Sequence, residues 1–417
     1  MIIINKEDVL NEIKDYYINS RDYNGLPVYN MTNYSYNYLC ELIDDGLIEV
    51  LNESDVLNPH IKGFKITTNA EKQKSYVSSQ DEHSVIYPTQ KALMSIPKDP
   101  SSPYSTMMQE GCEQFHITYF SIEILERYVN NPKYLIIDYG YRGSIYLQDE
   151  YCEDISDYEY VKNYGMSYIE GDKLQRAIGV FVYDLAKLSS SVQMMWKSFE
   201  LADQDKCKVH AGFVKNLLFG EWVTDVWSLH AILDEMRVIN MLCDAINIPH
   251  IFNRIYGYND PFDTLNGYRN IFLPTKKNYY NFVSVLEKLL IHNISYKAFI
   301  SKGLLVKPIE RMDNDGKQKG TLLLLSEWLK TNTTVNPEDI DEQIIDPLRE
   351  IRKIRQIPAH ELSSNDYNLD YYEMQFEIIG KALNAIAGIR FILKKNPYTK
   401  DVEIPKYLDD ISSIVNY

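Results

Sequence analysis

Residues 340–357 read IDEQIIDPLREIRKIRQI and carry a helical pattern of apolar side chains. Leu348, Ile351 and Ile354 recur at a spacing of three, which places them on one face of a helix. Charged residues fill positions between them, as on the solvent side of a helix that packs against a core. The stretch therefore predicts a long amphipathic helix.

Helical patterns of the same kind occur on both sides of this stretch. One begins at Asn278, and others cover residues 322–329 and 371–393. Helices joined by short connections pack as neighbours around a shared apolar core. We therefore expect a helical bundle over residues 275–396.

The first part of the chain, residues 1–97, has a different pattern. Helical periodicity over residues 9–17 and 36–43 is followed by a strand-like segment at 47–51 and an extended segment at 61–68. This order of helix, helix and short strands predicts a small α+β unit that is winged-helix-like.

Residues 107–270 form the predicted middle domain, after a linker rich in Pro and Ser at residues 96–106. The strand-like segments 134–138 and 144–148 flank the turn sequence GYRG, which predicts a β-hairpin. The remaining apolar patterns of this domain predict helices over residues 119–129, 174–188 and 227–242. The whole chain is therefore predicted to be mainly α with a minor β component.

Composition and charge exclude several classes of protein. Of the 417 residues, 45% are hydrophobic and 24% are charged, which excludes a chain that is disordered throughout. The formal net charge is −16, and residues 1–100 alone hold 9 basic and 15 acidic side chains. Because so acidic a protein does not attract nucleic acid by its overall charge, any nucleic-acid contact must come from a local basic cluster. At the N-terminal unit, a protein regulator is favoured over DNA as the partner.

The sequence also indicates a compartment. The five cysteines include no C-x-x-C pair, which argues against a disulfide framework and a zinc ribbon. No uncharged apolar run reaches the roughly 18 residues of a membrane span. These features predict a cytoplasmic protein with no membrane partner. Motifs for P-loop nucleotide binding and for helical zinc sites are missing, so we expect no cofactor and no metal.

The densest basic cluster lies on the predicted amphipathic helix. Arg349, Arg352, Lys353 and Arg355 place four positive charges within seven residues, and His360 follows five residues after Arg355. On a regular helix, side chains five residues apart point about 140° away from each other. The cluster is therefore a candidate anion-binding surface, but Arg355 and His360 would not be neighbours on an unbroken helix.

Pro358 changes this expectation. It has no N–H group and its ring clashes with the carbonyl of Ile354, so the helix is expected to kink or break between Arg355 and His360. A break would let the guanidinium and the imidazole converge, and Gln356 could hydrogen-bond the imidazole. The alternative is purely structural: the basic residues offset the helix dipole and His360 caps the helix end.

The stretch IRKIRQIPAHEL, residues 351–362, resembles the signature of the HEPN superfamily, in which an arginine is followed after four to six residues by a histidine. The late helical bundle, with one more long helix behind the motif, is also similar to that family, and the resemblance covers about residues 275–396. It implies a metal-independent endoribonuclease that acts as a dimer in bacterial defence or toxin systems. It also allows a relative that has lost activity and serves as an interaction module.

The resemblance implies that Arg355 and His360 are the catalytic residues. The nucleophile would be the 2′-hydroxyl of RNA, whose proton the imidazole of His360 would transfer, while the guanidinium of Arg355 would hold the phosphoryl oxygens. Gln356 would support the imidazole. Arg352 and Lys353 would contact the RNA backbone, unless they belong to a solvated helix face. The products would be a 2′,3′-cyclic phosphate and a 5′-hydroxyl.

The oligomeric state follows from the same chemistry. One histidine does not readily act as both base and acid, so we expect a homodimer through the C-terminal bundle that brings two copies of the pair into one cleft. The residues before the bundle would then regulate it. The second hypothesis is a non-catalytic interaction or regulatory protein with a degenerate HEPN bundle.

Overall fold

The computed structural model describes residues 5–19, 25–31, 36–55, 68–80, 82–153, 155–170, 172–258, 263–360 and 364–417. Within these ranges, the side chains of residues 157, 172–174, 358–360 and 411 are not described. About 52% of the chain is helical and 16% is strand. The prediction of a mainly α fold with a minor β component is therefore confirmed.

Helices occur along the whole described chain. In chain order they are α1 (Lys6–Asn19), α2 (Tyr36–Asp44), α3 (Ala70–Ser79), α4 (Gln90–Leu93), α5 (Pro103–Gln109), α6 (Glu126–Val129), α7 (Val182–Ala186), α8 (Ser190–Lys197), α9 (Ala211–Phe219), α10 (Ser228–Ala245), α11 (Lys276–Glu287), α12 (Lys297–Ile300), α13 (Thr321–Asn332), α14 (Pro337–Ile340), α15 (Asp346–His360), α16 (Asp370–Lys394) and α17 (Lys406–Asp409). A π-helical turn follows α11 at Lys288–His292, and another precedes α15 at Asp341–Ile345.

The strands are shorter and concentrate in the first half of the chain. They are β1 (Leu26–Pro27), β2 (Ile48–Asn52), β3 (Ser84–Pro88), β4 (Ile117–Ser121), β5 (Tyr134–Asp138), β6 (Arg142–Leu147), β7 (Asn163–Ile169), β8 (Asp172–Phe181), β9 (Cys207–Val209), β10 (Val226–Trp227) and β11 (Ile414–Val415).

The chain forms two compact units. The first comprises Met1–Ile124, Leu147–Gly171 and Arg176–Gly220. The second comprises Leu125–Tyr146, Asp172–Gln175 and Glu221–Tyr417. These boundaries do not coincide with the predicted segments 1–97, 107–270 and 275–396, because the middle segment contributes residues to both units.

The first unit contains a three-stranded sheet in which β3 lies between β1 and β2 and runs antiparallel to both. All five residues of β3 are buried. Val9 and Ile13 of α1 and Leu42 of α2 share one apolar core with Ile86 of β3. Burial of these residues explains why the two helices and the sheet form one layered unit.

The element predictions for this region are largely correct. The helices predicted over residues 9–17 and 36–43 are confirmed as α1 and α2, and the strand at 47–51 is confirmed as β2. The sequence did not predict α3, which separates β2 from β3. Residues 61–67 of the predicted extended segment lie outside the described residues, and the winged-helix likeness stays a prediction.

The helix predicted over residues 119–129 is wrong in its first part. Residues 117–121 form β4, and the α-helical part is only the short α6. The strand β4 pairs antiparallel with β8, with Ile117 opposite Phe181. The other neighbour of β8 is β7, which also pairs with β9.

The helix predicted over residues 174–188 is also wrong. The chain is the strand β8 as far as Phe181, and only the short helix α7 follows. Ala177, Ile178 and Val180 are all fully buried. Because the strand is apolar on both faces, it lacks the alternating pattern that marks a half-buried strand.

The predicted hairpin is confirmed within the second unit. The strands β5 and β6 are hydrogen-bonded neighbours, and the N–H of Tyr139 donates to the carbonyl of Arg142 across 2.8 Å. Gly140, in the turn, has a φ of +84°. Glycine reaches this left-handed conformation without strain, which explains why the turn forms at this residue.

Helix α10 is central to the second unit, where it packs against α16 and is buried over most of its length. A buried ion pair joins the two helices: Nε of Arg390 donates to Glu235 across 2.7 Å. The same guanidinium donates to Asp409 of α17 across 2.7 Å. Burial raises the pKa of Glu235 to about 7, although Arg390 opposes this shift.

The predicted helices of the C-terminal region are confirmed. The patterns over residues 227–242, 322–329 and 371–393 are α10, α13 and α16, and the pattern that begins at Asn278 is α11. The stretch 340–357 spans the end of α14, the π turn and α15. In the described part of the chain, no helix combines the length and the apolar character needed to cross a membrane.

Candidate functional site

The helix α15 carries the sequence-predicted site and is continuous. It runs from Asp346 through Pro358 to His360, so the predicted break between Arg355 and His360 is wrong. Proline at this position removes only one backbone hydrogen bond, the one to the carbonyl of Ile354. Leu348 and Ile351, in the preceding turns of the helix, are fully buried, and their packing stabilises the helix enough to offset the loss of one hydrogen bond.

A continuous helix changes the relation between the two predicted catalytic residues. Positions 355 and 360 lie about 140° apart around the axis, whereas position 360 lies about one turn beyond Gln356. Arg355 and Gln356 are exposed. The side chain of His360 lies outside the described part of the structure, so its contact with Arg355 or Gln356 stays a prediction.

A groove of about 290 Å³ lies between α15 and the N-terminal end of α13. Its lining residues are Gly320, Leu322, Leu323, Arg349, Arg352, Lys353 and Gln356. The structure therefore brings together Arg352, Lys353 and Gln356, which the sequence predicted as site residues, and adds Arg349. Arg355 does not line this groove.

The three cations of the groove are held to different degrees. Arg349 pairs with Asp346 on its own helix across 2.9 Å, and both side chains are about half exposed. Arg352 pairs with Glu287 of α11 across 3.5 Å. Lys353 is exposed, and no ion pair with the other described residues holds it. An anion in the groove would therefore meet two oriented guanidinium groups and one unrestrained ammonium group.

The partner of Arg352 belongs to a cluster that sequence reasoning missed. Glu287 is the last residue of α11, and its side chain is only 2% exposed. Its Oε1 accepts from Nε of Arg352 and lies 3.4 Å from Nε2 of His292. Its Oε2 is buried without a hydrogen-bond partner among the described residues. One buried carboxylate thus holds a guanidinium and an imidazole together.

The π turn Lys288–His292 explains how Glu287 and His292 meet. They are five residues apart, a spacing that a regular α-helix does not bring together. A π turn closes hydrogen bonds between residues five apart, and the His292 side chain remains 58% exposed. The sequence offered no signal for this cluster, because Arg352 is 65 residues from Glu287 and α-helical spacing would separate Glu287 from His292.

No protein-family model, curated protein or solved structure matches this chain. The chemistry open to the site therefore follows from its own residues. A guanidinium with free N–H groups can bind phosphoryl oxygens, and an imidazole can transfer a proton near neutral pH.

Proposed function

We propose that this protein is a metal-independent endoribonuclease of the HEPN type, with α15 as the element that contacts RNA. The observation that carries the proposal is the basic groove along α15. In a chain with a net charge of −16, three cations and an amide line one open groove next to the predicted motif. A local cluster of this kind supplies the phosphate contacts that overall charge does not.

The proposed reaction uses the ribose of the substrate as the nucleophile. The 2′-hydroxyl attacks phosphorus, the imidazole of His360 transfers the proton, and the guanidinium of Arg355 binds the phosphoryl oxygens as charge develops. Gln356 supports the imidazole. Arg352 and Lys353 hold the RNA backbone in the groove, and the products are a 2′,3′-cyclic phosphate and a 5′-hydroxyl.

Because positions 355 and 360 lie apart around α15, the proposed reaction requires a shared site in a homodimer. An imidazole of one subunit and a guanidinium of its partner then act on the same phosphodiester, and the two-fold axis makes two such pairs. The first unit regulates this activity through a protein partner. The proposal places the enzyme in the cytoplasm, in a bacterial defence or toxin system.

RNA cleavage in the presence of EDTA tests this function. Transfer RNA and total RNA are incubated with the full-length protein, and the ends of the products are analysed. We expect cyclic phosphate ends and a rate at least about 100-fold lower in both His360→Ala and Arg355→Ala. The first loss is usual on removal of a proton-transfer group, and the second on removal of a donor that stabilises developing negative charge.

The matched controls for these variants are Arg254→Ala and His250→Ala. Arg254 is exposed and its guanidinium stacks on Tyr256, and His250 is half exposed beside Asp244. Both controls should cleave like the parent protein. Unchanged cleavage in the Arg355 and His360 variants, or loss of cleavage with EDTA alone, would contradict the proposal.

A second candidate function is a non-catalytic interaction protein. The continuous helix α15 favours it, because Arg355 and position 360 do not share one side of the helix. This candidate predicts a stable complex with a protein partner and no turnover of RNA. Absence of cleavage under every condition, together with a stoichiometric partner in pull-down experiments, would support it over the nuclease.

A further inference from the structure

The convergence of a guanidinium and an imidazole that the sequence predicted for Arg355 and His360 is present at Arg352 and His292. We propose that Glu287, His292 and Arg352 form a phosphodiester-processing site next to the basic groove of α15. Arg352 lines the groove and contacts Glu287, which in turn contacts His292, whereas Glu287 and His292 do not line the groove. In this site Arg352 binds the phosphoryl oxygens, His292 transfers the proton, and Glu287 is the positioning residue for both. The inference rests on the proposed ribonuclease function and assigns a further site to it.

The guanidinium of Arg352 and the imidazole of His292 both contact the same atom, Oε1 of Glu287. Nε of Arg352 lies 3.5 Å and Nε2 of His292 lies 3.4 Å from Oε1 of Glu287. Among the described residues, Glu287 accepts from one N–H group of Arg352 and no other side chain pairs with its guanidinium, and Arg352 lines the groove. Its remaining donors are therefore available to a phosphate in the groove.

The burial of Glu287 is difficult to explain by stability alone. Its side chain is 2% exposed, and Oε2 has no hydrogen-bond partner among the described residues. Taking a carboxylate out of water costs several kcal/mol, and an incomplete set of partners does not offset this cost. A catalytic role is one of the recognised explanations for a buried polar atom without a partner.

The backbone supplies a second observation. His292 closes the π turn Lys288–His292, and π turns inserted in helices occur frequently at functional sites. The turn keeps the imidazole exposed while Nε2 contacts a buried carboxylate. A carboxylate in this position fixes the tautomer and orientation of the ring and stabilises the imidazolium that forms during proton transfer.

The reaction at this site balances without a cofactor. The imidazole of His292 accepts the proton of the 2′-hydroxyl as the bond from O2′ to phosphorus forms. The bond from phosphorus to O5′ breaks, and O5′ takes a proton from water. The imidazolium returns its proton to solvent. Lys353, which is exposed beside Arg352 in the groove, adds positive charge near the phosphate.

The pH dependence of RNA cleavage tests the role of His292. Cleavage by the Arg355 and His360 pair is removed with His360→Ala, and this variant is the parent of the test. Its residual cleavage is measured in EDTA from pH 5 to pH 9, alone and with His292→Gln or, as the matched exposed histidine, with His250→Gln. We expect His292→Gln to lower the residual rate at least about 100-fold, with loss of the limb of the profile in which rate rises with pH. His250→Gln should keep the parental profile. A parental profile in His292→Gln overturns the inference and leaves the proposed function standing.

The Glu287→Gln variant distinguishes a positioning role of Glu287 from the electrostatic effect of its negative charge. Removing a negative charge beside an anion-binding groove would strengthen RNA binding if charge alone acted. A positioning role predicts instead that the residual cleavage of the His360→Ala protein becomes about 10-fold slower with Glu287→Gln, because glutamine holds the guanidinium and the imidazole less firmly. The melting temperature of the variant is measured alongside, so that unfolding is not mistaken for loss of positioning. Faster or unchanged cleavage in a folded variant contradicts the role of Glu287.

A binding measurement distinguishes failure of this site from failure of the proposed function. Ring resonances of isotope-labelled histidines are followed as a 2′-O-methyl RNA oligonucleotide, which lacks the nucleophile, is added. A shift of the His292 ring that Arg352→Ala abolishes supports phosphodiester binding here, and no shift overturns the site. If the parent protein cleaves no RNA, the proton-transfer role and the proposed function fail together, and the titration alone decides whether the binding site stands.

Discussion

At the scale of single residues, His230 shows how packing sets the charge of a side chain. Its ring stacks on Tyr258 with centroids 4.1 Å apart and an interplanar angle of 11°. The rings of Trp227 and His230 make an edge-to-face contact, with their centroids 5.1 Å apart. Burial lowers the pKa of His230 from 6.5 to about 3, so the imidazole is uncharged at neutral pH.

We predict that His230 makes the protein less stable in acid. Between pH 6.5 and pH 3 the unfolded state binds a proton at this position and the folded state does not, so the free energy of unfolding falls as the pH falls. Between pH 7 and pH 5, His230 is expected to lower the free energy of unfolding by about 1–2 kcal/mol, after allowance for its partial exposure. Denaturant unfolding of the parent protein and of His230→Phe at both pH values measures it.

The expected result is a smaller loss of stability on acidification in His230→Phe than in the parent protein. His250→Phe serves as the control, since His250 is about half exposed, and it should lose stability as the parent does. An equal loss in all three proteins would show that the imidazole of His230 is protonated in the folded state.

At the scale of elements, the glycines of α16 can be compared directly. A Cβ added at Gly380 would meet no atom within 4 Å, whereas one added at Gly388 would lie 2.9 Å from a side-chain carbon of Ile344. Alanine favours a helix over glycine by about 0.5–1 kcal/mol. We therefore predict that Gly380→Ala raises the free energy of unfolding by about that amount.

Gly388→Ala is the matched substitution on the same helix. The contact with Ile344 should cancel the gain, so this variant is expected to be no more stable than the parent protein. Midpoints of denaturant unfolding give both values. A Gly380→Ala variant that is less stable than Gly388→Ala would contradict the packing described for α16.

Helices with apolar residues at helical spacing could be predicted from the sequence, whereas the long buried strand β8 could not. The helix α15 has Leu348 and Ile351 at helical spacing, and its pattern was clear. The strand β8 was mistaken for a helix because its buried residues do not alternate with polar ones. The continuity of α15 through Pro358 was missed, since packing of the buried face overrides a local preference to end the helix.

Some residues of the candidate site could be predicted from the sequence, and others depend on contacts between distant parts of the chain. Arg352 and Lys353 could be found because they belong to a cluster that is local in sequence. Glu287 could not, because its link to Arg352 depends on how α11 packs against α15. His292 depended on a π turn, which apolar periodicity does not reveal.

At the scale of the whole molecule, the proposed function requires the protein to bind an anionic polymer against its own charge of −16. The proposal assigns the attraction to the groove lined by Arg349, Arg352 and Lys353. Such binding weakens steeply with salt, because each phosphate contact with a single strand contributes about 0.7 to the slope of log affinity against log salt. We predict a slope of about −2 for single-stranded RNA.

Lys353→Ala should reduce the magnitude of this slope by about 0.7. Lys381→Ala is the control, because it removes the same charge from a residue that pairs with Glu350 across 2.8 Å and does not line the groove. Titrations of a labelled 2′-O-methyl RNA at four salt concentrations give both slopes. Equal slopes for the two variants would place the RNA elsewhere on the protein.

The most direct test of the central claim uses a DNA oligonucleotide that contains a single ribonucleotide, incubated with the full-length protein in EDTA. The proposed chemistry requires one cut, on the 3′ side of the ribose, with a 2′,3′-cyclic phosphate on one product and a 5′-hydroxyl on the other. An oligonucleotide that stays intact while an all-DNA control also stays intact would contradict the nuclease, and cleavage of the all-DNA strand would contradict the 2′-hydroxyl mechanism.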